Sequence, residues 1–259
     1  MKIQCVGDIV GEPGRRAFRA LVPPLRDAGD FGAVVVNAEN AAGGRGITAA
    51  IADELFAAGA DAITLGDHTW DQKDAAAFLS REKRAVRPAN YSAQCPGRGW
   101  TVVSSPVGRF AVVNLLGRVF MNPVDNPFTA VDGLLGGAVP RDVPVVVDFH
   151  AEATSEKIAM GWYLDGRVAA VFGTHTHVPT ADAKVLPKGT GYITDVGMTG
   201  PEVSVIGREV APVLTKFTTD MPAKFEVAKG RVALEGCVFD IDAATKRCRS
   251  VRQVRLLLD

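Results

Sequence analysis

Short apolar, β-branched runs alternate with stretches of helical character through the first two-thirds of the chain, and this alternation constrains the fold most strongly. The pattern is typical of a largely parallel sheet whose two faces are covered. It predicts strands at Lys2–Val6, Ala33–Asn37, Asp61–Leu65, Thr101–Ser104, Phe110–Leu115, Val143–Phe149, Val168–Phe172 and Tyr192–Thr194. The segment Pro106-Val107-Gly108 joins two of these runs and is typical of an antiparallel hairpin. The sequence therefore predicts an α/β fold.

Three segments between these strands have helical spacing. The clearest is Thr48–Ala58, whose first residue can cap the helix and whose apolar residues recur at helical intervals. Arg15–Arg26 is a second helix, which Pro23–Pro24 is expected to kink or shorten near its end. Thr154–Trp162 is a third, with Glu156 placed favourably in the first turn.

The last forty residues return to strand character. We predict strands there at Lys224–Val227, Arg231–Asp240 and Arg249–Leu257. The expected architecture is a βαβ half followed by a β-rich half, which together form a two-sheet sandwich flanked by helices. Since no repeat, low-complexity segment or linker interrupts the chain, residues 1–259 are expected to form a single domain.

The charge balance and the apolar runs exclude several classes of protein. With 29 basic and 29 acidic residues, the chain lacks the cationic excess typical of a nucleic-acid binder. Its apolar runs, such as Val168–Phe172, are far shorter than the roughly 20 residues that cross a bilayer. Asp8 interrupts the N-terminal segment before a signal peptide could form, so a cytoplasmic location is expected. The four cysteines form no Cys-x-x-Cys pair and are expected to be reduced.

Side chains that can bind metal follow five of the predicted strands, and they include all four histidines of the chain. They are Asp8, Glu39, Asn40, Asp67, His68, His150, His175 and His177. A single histidine after a strand is more often a hydrogen-bonded structural residue than a ligand. The joint placement changes this balance, because ligands of open α/β folds bind outside the carboxyl ends of the strands. Imidazole and carboxylate donors together suit Zn, Mn or Fe, and seven of these residues are enough for two ions.

The order of these residues resembles the calcineurin-like metallophosphoesterases, and most closely their bacterial YmdB-like branch. The resemblance is carried by Gly7-Asp8-Ile9-Val10-Gly11, Asn37-Ala38-Glu39-Asn40-Ala41-Ala42, Gly46-Ile47-Thr48, Gly66-Asp67-His68-Thr69-Trp70-Asp71, Arg87-Pro88-Ala89-Asn90-Tyr91, the segment from Asp148 to Lys157, Gly173-Thr174-His175-Thr176-His177-Val178-Pro179-Thr180 and Thr194-Asp195-Val196-Gly197-Met198-Thr199-Gly200. It covers Met1 to about Gly207 with specific motifs and the remainder more loosely.

The resemblance implies a dinuclear phosphodiesterase, which in the better-known relatives contains iron and acts on 2′,3′-cyclic nucleotides. It implies that Glu39 bridges the two ions. The ligand sets that it implies are Asp8, Asn40 and His177 for one ion, and Asp67, His150 and His175 for the other. A hydroxide held between the ions would attack phosphorus, and His68 would donate a proton to the departing ribose oxygen.

Two positions depart from the wider family pattern. Val10 stands where most metallophosphoesterases have a histidine, as it does in the YmdB-like branch. Asp67 stands where the family usually has asparagine. One hypothesis is that Asp67 strengthens metal retention and lowers Lewis acidity; the alternative is that it is a neutral replacement, because either side chain offers an oxygen.

Other hypotheses remain open on the sequence alone. The alternative function is a metal-binding regulatory protein with little or no catalytic activity. A metal-dependent amidohydrolase is disfavoured, because its His-x-His motif comes on an early strand rather than a late one. The expected partner is a small phosphodiester, with no stable nucleic-acid binding and no membrane. The apolar, glycine-rich stretch Phe120–Phe128 is a candidate surface for homo-oligomer formation.

Overall fold

The computed structural model describes all residues, 1–259, and contains two β-sheets packed between helices. The strands are β1 (Lys2–Val6), β2 (Asp8–Ile9), β3 (Ala33–Asn37), β4 (Ala62–Thr64), β5 (Ala85–Val86), β6 (Trp100–Ser105), β7 (Gly108–Leu116), β8 (Val145–His150), β9 (Ala170–Thr174), β10 (Lys184–Val185), β11 (Gly191–Ile193), β12 (Met198–Pro201), β13 (Val232–Ile241) and β14 (Cys248–Leu258).

The helices come from the segments between strands. They are α1 (Gly11–Asp27), α2 (Ala49–Ala57), α3 (Ala75–Arg81), α4 (Pro127–Gly133), α5 (Thr154–Leu164) and α6 (Val210–Thr219), and a π-helical turn at Leu134–Ala138 follows α4. Thr48 caps α2 as predicted, because its side-chain oxygen accepts a hydrogen bond from the Ile51 amide at 3.3 Å. None of the helices has the length and apolar character needed to cross a membrane.

The first sheet joins strands from both ends of the chain. Its order is β2-β12-β13-β1-β3-β4-β5, with β14 paired to β13. Strands β1, β3, β4 and β5 run parallel, whereas β13 pairs antiparallel with β1, β12 and β14. The βαβ pattern at the N-terminus thus forms a sheet that the C-terminal hairpin completes.

The second sheet is formed by the middle of the chain. Its order is β10-β11-β9-β8-β7-β6. Strands β7, β8, β9 and β11 are parallel to one another, and β6 and β7 form the predicted antiparallel hairpin, in which Val103 lies opposite Phe110. The predicted two-sheet sandwich is therefore confirmed.

Three apolar clusters hold these layers together. One lies between the two sheets and contains buried residues of both, such as Val35, Val146 and Phe239. A second packs the first sheet against its helices, and a third packs the second sheet against α4 and α5. Burial on both faces explains why the parallel strands appear as continuous apolar runs rather than alternating ones.

Two local predictions were wrong. Lys224–Val227 is not a strand: Val227 makes only an isolated bridge with Arg208. The two prolines do not shorten α1, which continues to Asp27. Pro23 and Pro24 lack the N–H groups that would bond to the carbonyls four residues before them, so they remove two hydrogen bonds of the helix without ending it.

Candidate metal centre

The eight side chains singled out at the strand ends converge on one cleft, where the carboxyl ends of both sheets meet. Asp8 begins β2, Glu39 and Asn40 follow β3, Asp67 and His68 follow β4, His150 ends β8, and His175 and His177 follow β9. The cleft has a volume of about 270 Å³. Parallel strands from two sheets explain why residues up to 169 positions apart in the sequence (from Asp8 to His177) meet at this place.

Four of these residues form a compact cluster of potential ligands. One donor atom each from Glu39, Asp67, His150 and His175 lies within 4.8 Å of the other three. The His150 Nε2 atom is 3.1 Å from Glu39 Oε1 and 3.2 Å from Asp67 Oδ1. The His175 Nδ1 atom is 3.0 Å from His150 Nε2. We call Asp67, His150 and His175 the first donor group.

Asp8, Asn40 and His177 form another set of neighbouring donors beside Glu39, and we call them the second donor group. The Asn40 side-chain amide is 3.2 Å from His177 Nε2, which in turn is 3.8 Å from Asp8 Oδ1. Asn40 Nδ2 also donates to Glu39 Oε1 at 3.1 Å. The same Glu39 oxygen thus contacts both donor groups, as a carboxylate between two ions would.

The chemistry of the cluster fits metal ions. The Oδ1 atom of Asp8 is buried and has no hydrogen-bond partner, which is costly unless a cation faces it. Asp8 and Glu39 are almost completely buried, so their charges also require compensation. Mixed carboxylate and imidazole donors suit Zn, Mn or Fe rather than Ca or Mg. The residues present can therefore hold a metal centre.

The pKa shifts of the carboxylates reflect the same crowding. Burial raises the pKa of Asp8. Burial acts in the same direction on Glu39 and Asp67, but it is outweighed by hydrogen bonds and charge interactions with His150, and for Asp67 also with His175, which lower the pKa of both groups. Glu39 and Asp67 are therefore held in the ionised form, in which a carboxylate can bind a metal ion.

The chain matches the model of the YmdB-like protein family over residues 5–254. This chain belongs to the YmdB-like family. A relative from Bacillus subtilis (strain 168), named 2′,3′-cyclic-nucleotide 2′-phosphodiesterase, is 47% identical over 254 residues, which is 98% of this chain and 96% of the relative.

Solved structures show the same fold. A hypothetical protein from Thermus thermophilus is 42% identical, with a TM-score of 0.93 and 99% of each chain covered. A Mycoplasma pneumoniae protein described as a novel phosphatase is 37% identical, with a TM-score of 0.92, and the match covers 99% of this chain and 93% of the other. The metallophosphoesterase-like sandwich expected from the sequence is thus confirmed.

Hydrogen bonds on the far side of each ring orient the histidines of this YmdB-like chain. Thr174 Oγ1 donates to Asp148 Oδ1 at 2.7 Å, so its contact of 2.8 Å with His150 Nδ1 must be a bond that the ring donates. Because Nδ1 is held in this bond, Nε2 is the nitrogen that faces Glu39, Asp67 and the place of a metal ion. His177 Nδ1 likewise donates to the Ile206 carbonyl at 3.0 Å, which leaves its Nε2 for the second donor group.

The carboxylate of Asp148 anchors the His150 arrangement. It is fully buried and accepts hydrogen bonds from Thr64, Thr174 and Asn37. Burial raises the pKa of Asp148 to about 6, although the charge of His150 and these hydrogen bonds oppose the shift. Asp148 therefore holds His150 in place through Thr174. It does not itself line the cleft.

Glycine is required at the floor of the cleft. A Cβ atom on Gly66 would lie 2.3 Å from His150 Cδ2 and 2.4 Å from Glu39 Oε2. Any side chain at this position would displace two candidate ligands. This contact explains the glycine of the Gly66-Asp67-His68 motif.

His68 is not part of either donor group. Its backbone amide donates to Glu39 Oε2 at 2.9 Å, while its Nδ1 atom lies 3.0 Å from Asp71 Oδ2. The carboxylate of Asp71 accepts the Nδ1 proton, and the ring lines the cleft beside the candidate ligands. This placement leaves Nε2 available for proton transfer.

Two charged residues of the cleft, Glu152 and Arg208, were not singled out from the sequence. The Oε2 atom of Glu152 is 3.1 Å from His175 Nε2. This contact orients the ring so that His175 Nδ1 faces Asp67 and His150. Arg208 lines the cleft and donates from Nη2 to the Gly44 carbonyl at 2.7 Å. Glu152 follows His150 by two residues, a signal that could have found it; Arg208 lies in a loop without such a signal.

We expect Glu152→Ala to weaken metal binding by roughly 10–100-fold, because it removes the acceptor that orients His175. The measurement is competition between the protein and a chelator of known affinity. Glu12→Ala removes another exposed carboxylate, 3.5 Å from Arg19, and serves as the control that should retain wild-type affinity. Equal affinity in the two variants would show that Glu152 does not orient the ligand.

Proposed function

We propose that this chain is a dinuclear metal-dependent phosphodiesterase that hydrolyses 2′,3′-cyclic nucleotides. The observation that carries the proposal is the position of Glu39, whose carboxylate contacts both donor groups while His68 stays outside them. The proposed ligands are Glu39 as the bridge, Asp8, Asn40 and His177 for one ion, and Asp67, His150 and His175 for the other. When bound, the ions supply Lewis acidity and neutralise charge on the phosphoryl group.

The protein's own groups would position the substrate and move the proton. His68, with Nδ1 held by Asp71, donates a proton from Nε2 to the departing ribose oxygen. Because the ligating histidines have their outer nitrogens occupied by Thr174, Glu152 and the Ile206 carbonyl, their orientation is fixed before substrate arrives. The cleft at about 270 Å³ suits a small phosphodiester.

Iron is the metal we propose, with manganese or zinc as the other metals that these donors suit. The name of the Bacillus subtilis relative supports the cyclic-nucleotide substrate. All four cysteines are free thiols, which supports the proposed cytoplasmic location. The family match across residues 5–254 supports a single catalytic domain.

We also propose that the protein forms homo-oligomers through the stretch around Phe120, whose side chain is 89% exposed. Light scattering of the purified protein, with Phe120→Ser as the comparison, tests this surface. A monomeric wild-type protein would contradict the homo-oligomer.

The formal net charge of zero supports the absence of stable nucleic-acid binding.

The test of the proposed function is hydrolysis of 2′,3′-cyclic nucleotides by the purified protein. We expect activity that is lost on chelation and restored by anaerobic addition of iron or manganese. Protein that retains two ions but hydrolyses no phosphodiester would favour the metal-binding regulatory protein instead.

Asp67 provides a second test, through the charge of the centre. Asp8, Glu39 and Asp67 supply three negative charges, and Asp67→Asn leaves two. We expect the variant to retain metal less well and to turn over faster when metal is in excess, because the remaining ligands neutralise less of the ionic charge. Metal content after dialysis and kcat at saturating metal are the measurements. Unchanged values of both would identify Asp67 as a neutral replacement.

A further inference from the structure

Lys157 of α5 and Asp195, which follows β11, form an ion pair in the protein interior. The Lys157 Nζ atom lies 2.6 Å from Asp195 Oδ2, and each side chain is 1% exposed. Two charges without water require close partners, because the interior solvates them poorly. Neither residue lines the metal cleft, and the sequence analysis assigned neither a role.

The carboxylate of Asp195 reaches the loop that carries His175 and His177. Its Oδ2 atom accepts hydrogen bonds from the Thr176 amide at 3.2 Å and the Thr176 hydroxyl at 2.8 Å. Its Oδ1 atom accepts from the Gly197 amide at 2.9 Å. Asp195 thus holds the residue that lies between the two histidines.

The backbone of this loop needs such support. His175 has a backbone φ of 101° and His177 has a backbone φ of 65°, values that residues other than glycine rarely adopt. Backbone strain of this kind persists only where surrounding contacts hold it. The His175 amide also donates to Asp8 Oδ2 at 3.1 Å, so the carboxylates of Asp8 and Asp195 both hold the loop.

Lys157 reaches this position because Gly173 leaves room for its stem. A Cβ atom on Gly173 would lie 1.8 Å from the Thr194 carbonyl oxygen and 3.1 Å from Lys157 Cδ. The glycine of the Gly173-Thr174-His175 motif therefore permits both the close approach of the chain at Thr194 and the path of the lysine.

We propose that Lys157 and Asp195 are positioning residues that set the geometry of both histidines in the His175–His177 loop. The proposal rests on the metal centre of the proposed function. Since His175 belongs to the first donor group and His177 to the second, the pair controls retention of both ions together. Glu152, by contrast, contacts only His175 and acts on the first donor group alone.

The test measures metal retention, apart from activity, in Lys157→Met, Asp195→Asn and Thr176→Val. Thr176→Val removes one hydrogen-bond donor to Asp195 without leaving an unpaired charge in the interior. It therefore still tests the proposal if the Lys157 or Asp195 variant does not fold. Arg26→Met is the matched control, because Arg26 and Asp61 form another ion pair at 3.1 Å outside the cleft. Each metal-free variant is also melted, to separate loss of stability from loss of binding.

We expect the Lys157 and Asp195 variants to lose affinity for both ions by at least about tenfold, with a smaller loss in Thr176→Val. Arg26→Met should melt earlier and keep wild-type affinity. Lys157→Arg, which keeps the charge, should recover part of the affinity. Wild-type retention in all variants, or equal losses in Arg26→Met, would overturn the proposal. If wild-type protein itself bound no metal, the proposed function would fail instead.

Discussion

Replacing Glu39 with glutamine is expected to lower phosphodiester hydrolysis by about 10³-fold or more, because several kcal/mol of transition-state stabilisation depend on the ions. Glu39 Oε1 lies 3.1 Å from both His150 Nε2 and Asn40 Nδ2, so its charge serves both donor groups. The variant should therefore lose both ions together rather than one. The measurements are kcat/KM and the metal content of the same preparation.

Glu235→Gln is the matched control for this variant. Glu235 is also largely buried, but it accepts from Arg255 Nε at 3.1 Å and lies outside the cleft lined by Glu39. This control should keep its metal and its activity. Retention of one ion by Glu39→Gln, with substantial turnover, would contradict the bridging role.

Replacing His68 with alanine should have the next largest effect, and the effect should depend on the leaving group. With a ribose oxygen as leaving group, loss of the proton donor is expected to lower kcat by about 10²–10⁴-fold. With nitrophenolate, which leaves without a proton, the loss should be much smaller. Parallel kcat measurements on a 2′,3′-cyclic nucleotide and on bis(4-nitrophenyl) phosphate make the comparison.

The metal content of His68→Ala distinguishes proton donation from ligation. His68 contacts Asp71 and, through its backbone amide, Glu39, but it belongs to neither donor group. The variant should therefore bind wild-type amounts of metal. Equal losses of kcat with both substrates would count against His68 as the proton donor.

The position of the cleft was predictable because it follows from one rule of α/β folds. Residues that follow parallel strands meet at one edge, and apolar runs identified those strands even where their ends moved by one or two residues, as at Ala170–Thr174. All eight side chains singled out at the strand ends lie around that cleft. Their roles as ligands and proton donor are proposals that the experiments above test.

The supporting residues were less accessible to sequence reasoning. In the sequence, Lys157 has no feature that distinguishes it from other helix residues. Its partner Asp195 is 38 positions away and meets it only in the folded protein. The Lys224–Val227 segment has strand-like composition but no paired neighbour beyond an isolated bridge. Partners of this kind depend on tertiary packing, which local patterns do not specify.

The most direct test of the central claim is elemental analysis of the purified wild-type protein by plasma mass spectrometry, expressed as moles of each transition metal per chain. A dinuclear centre predicts about two ions per chain, lost together in Glu39→Gln. Substantially no bound metal, even after anaerobic reconstitution with iron or manganese, would contradict the metal centre and the phosphodiesterase built on it.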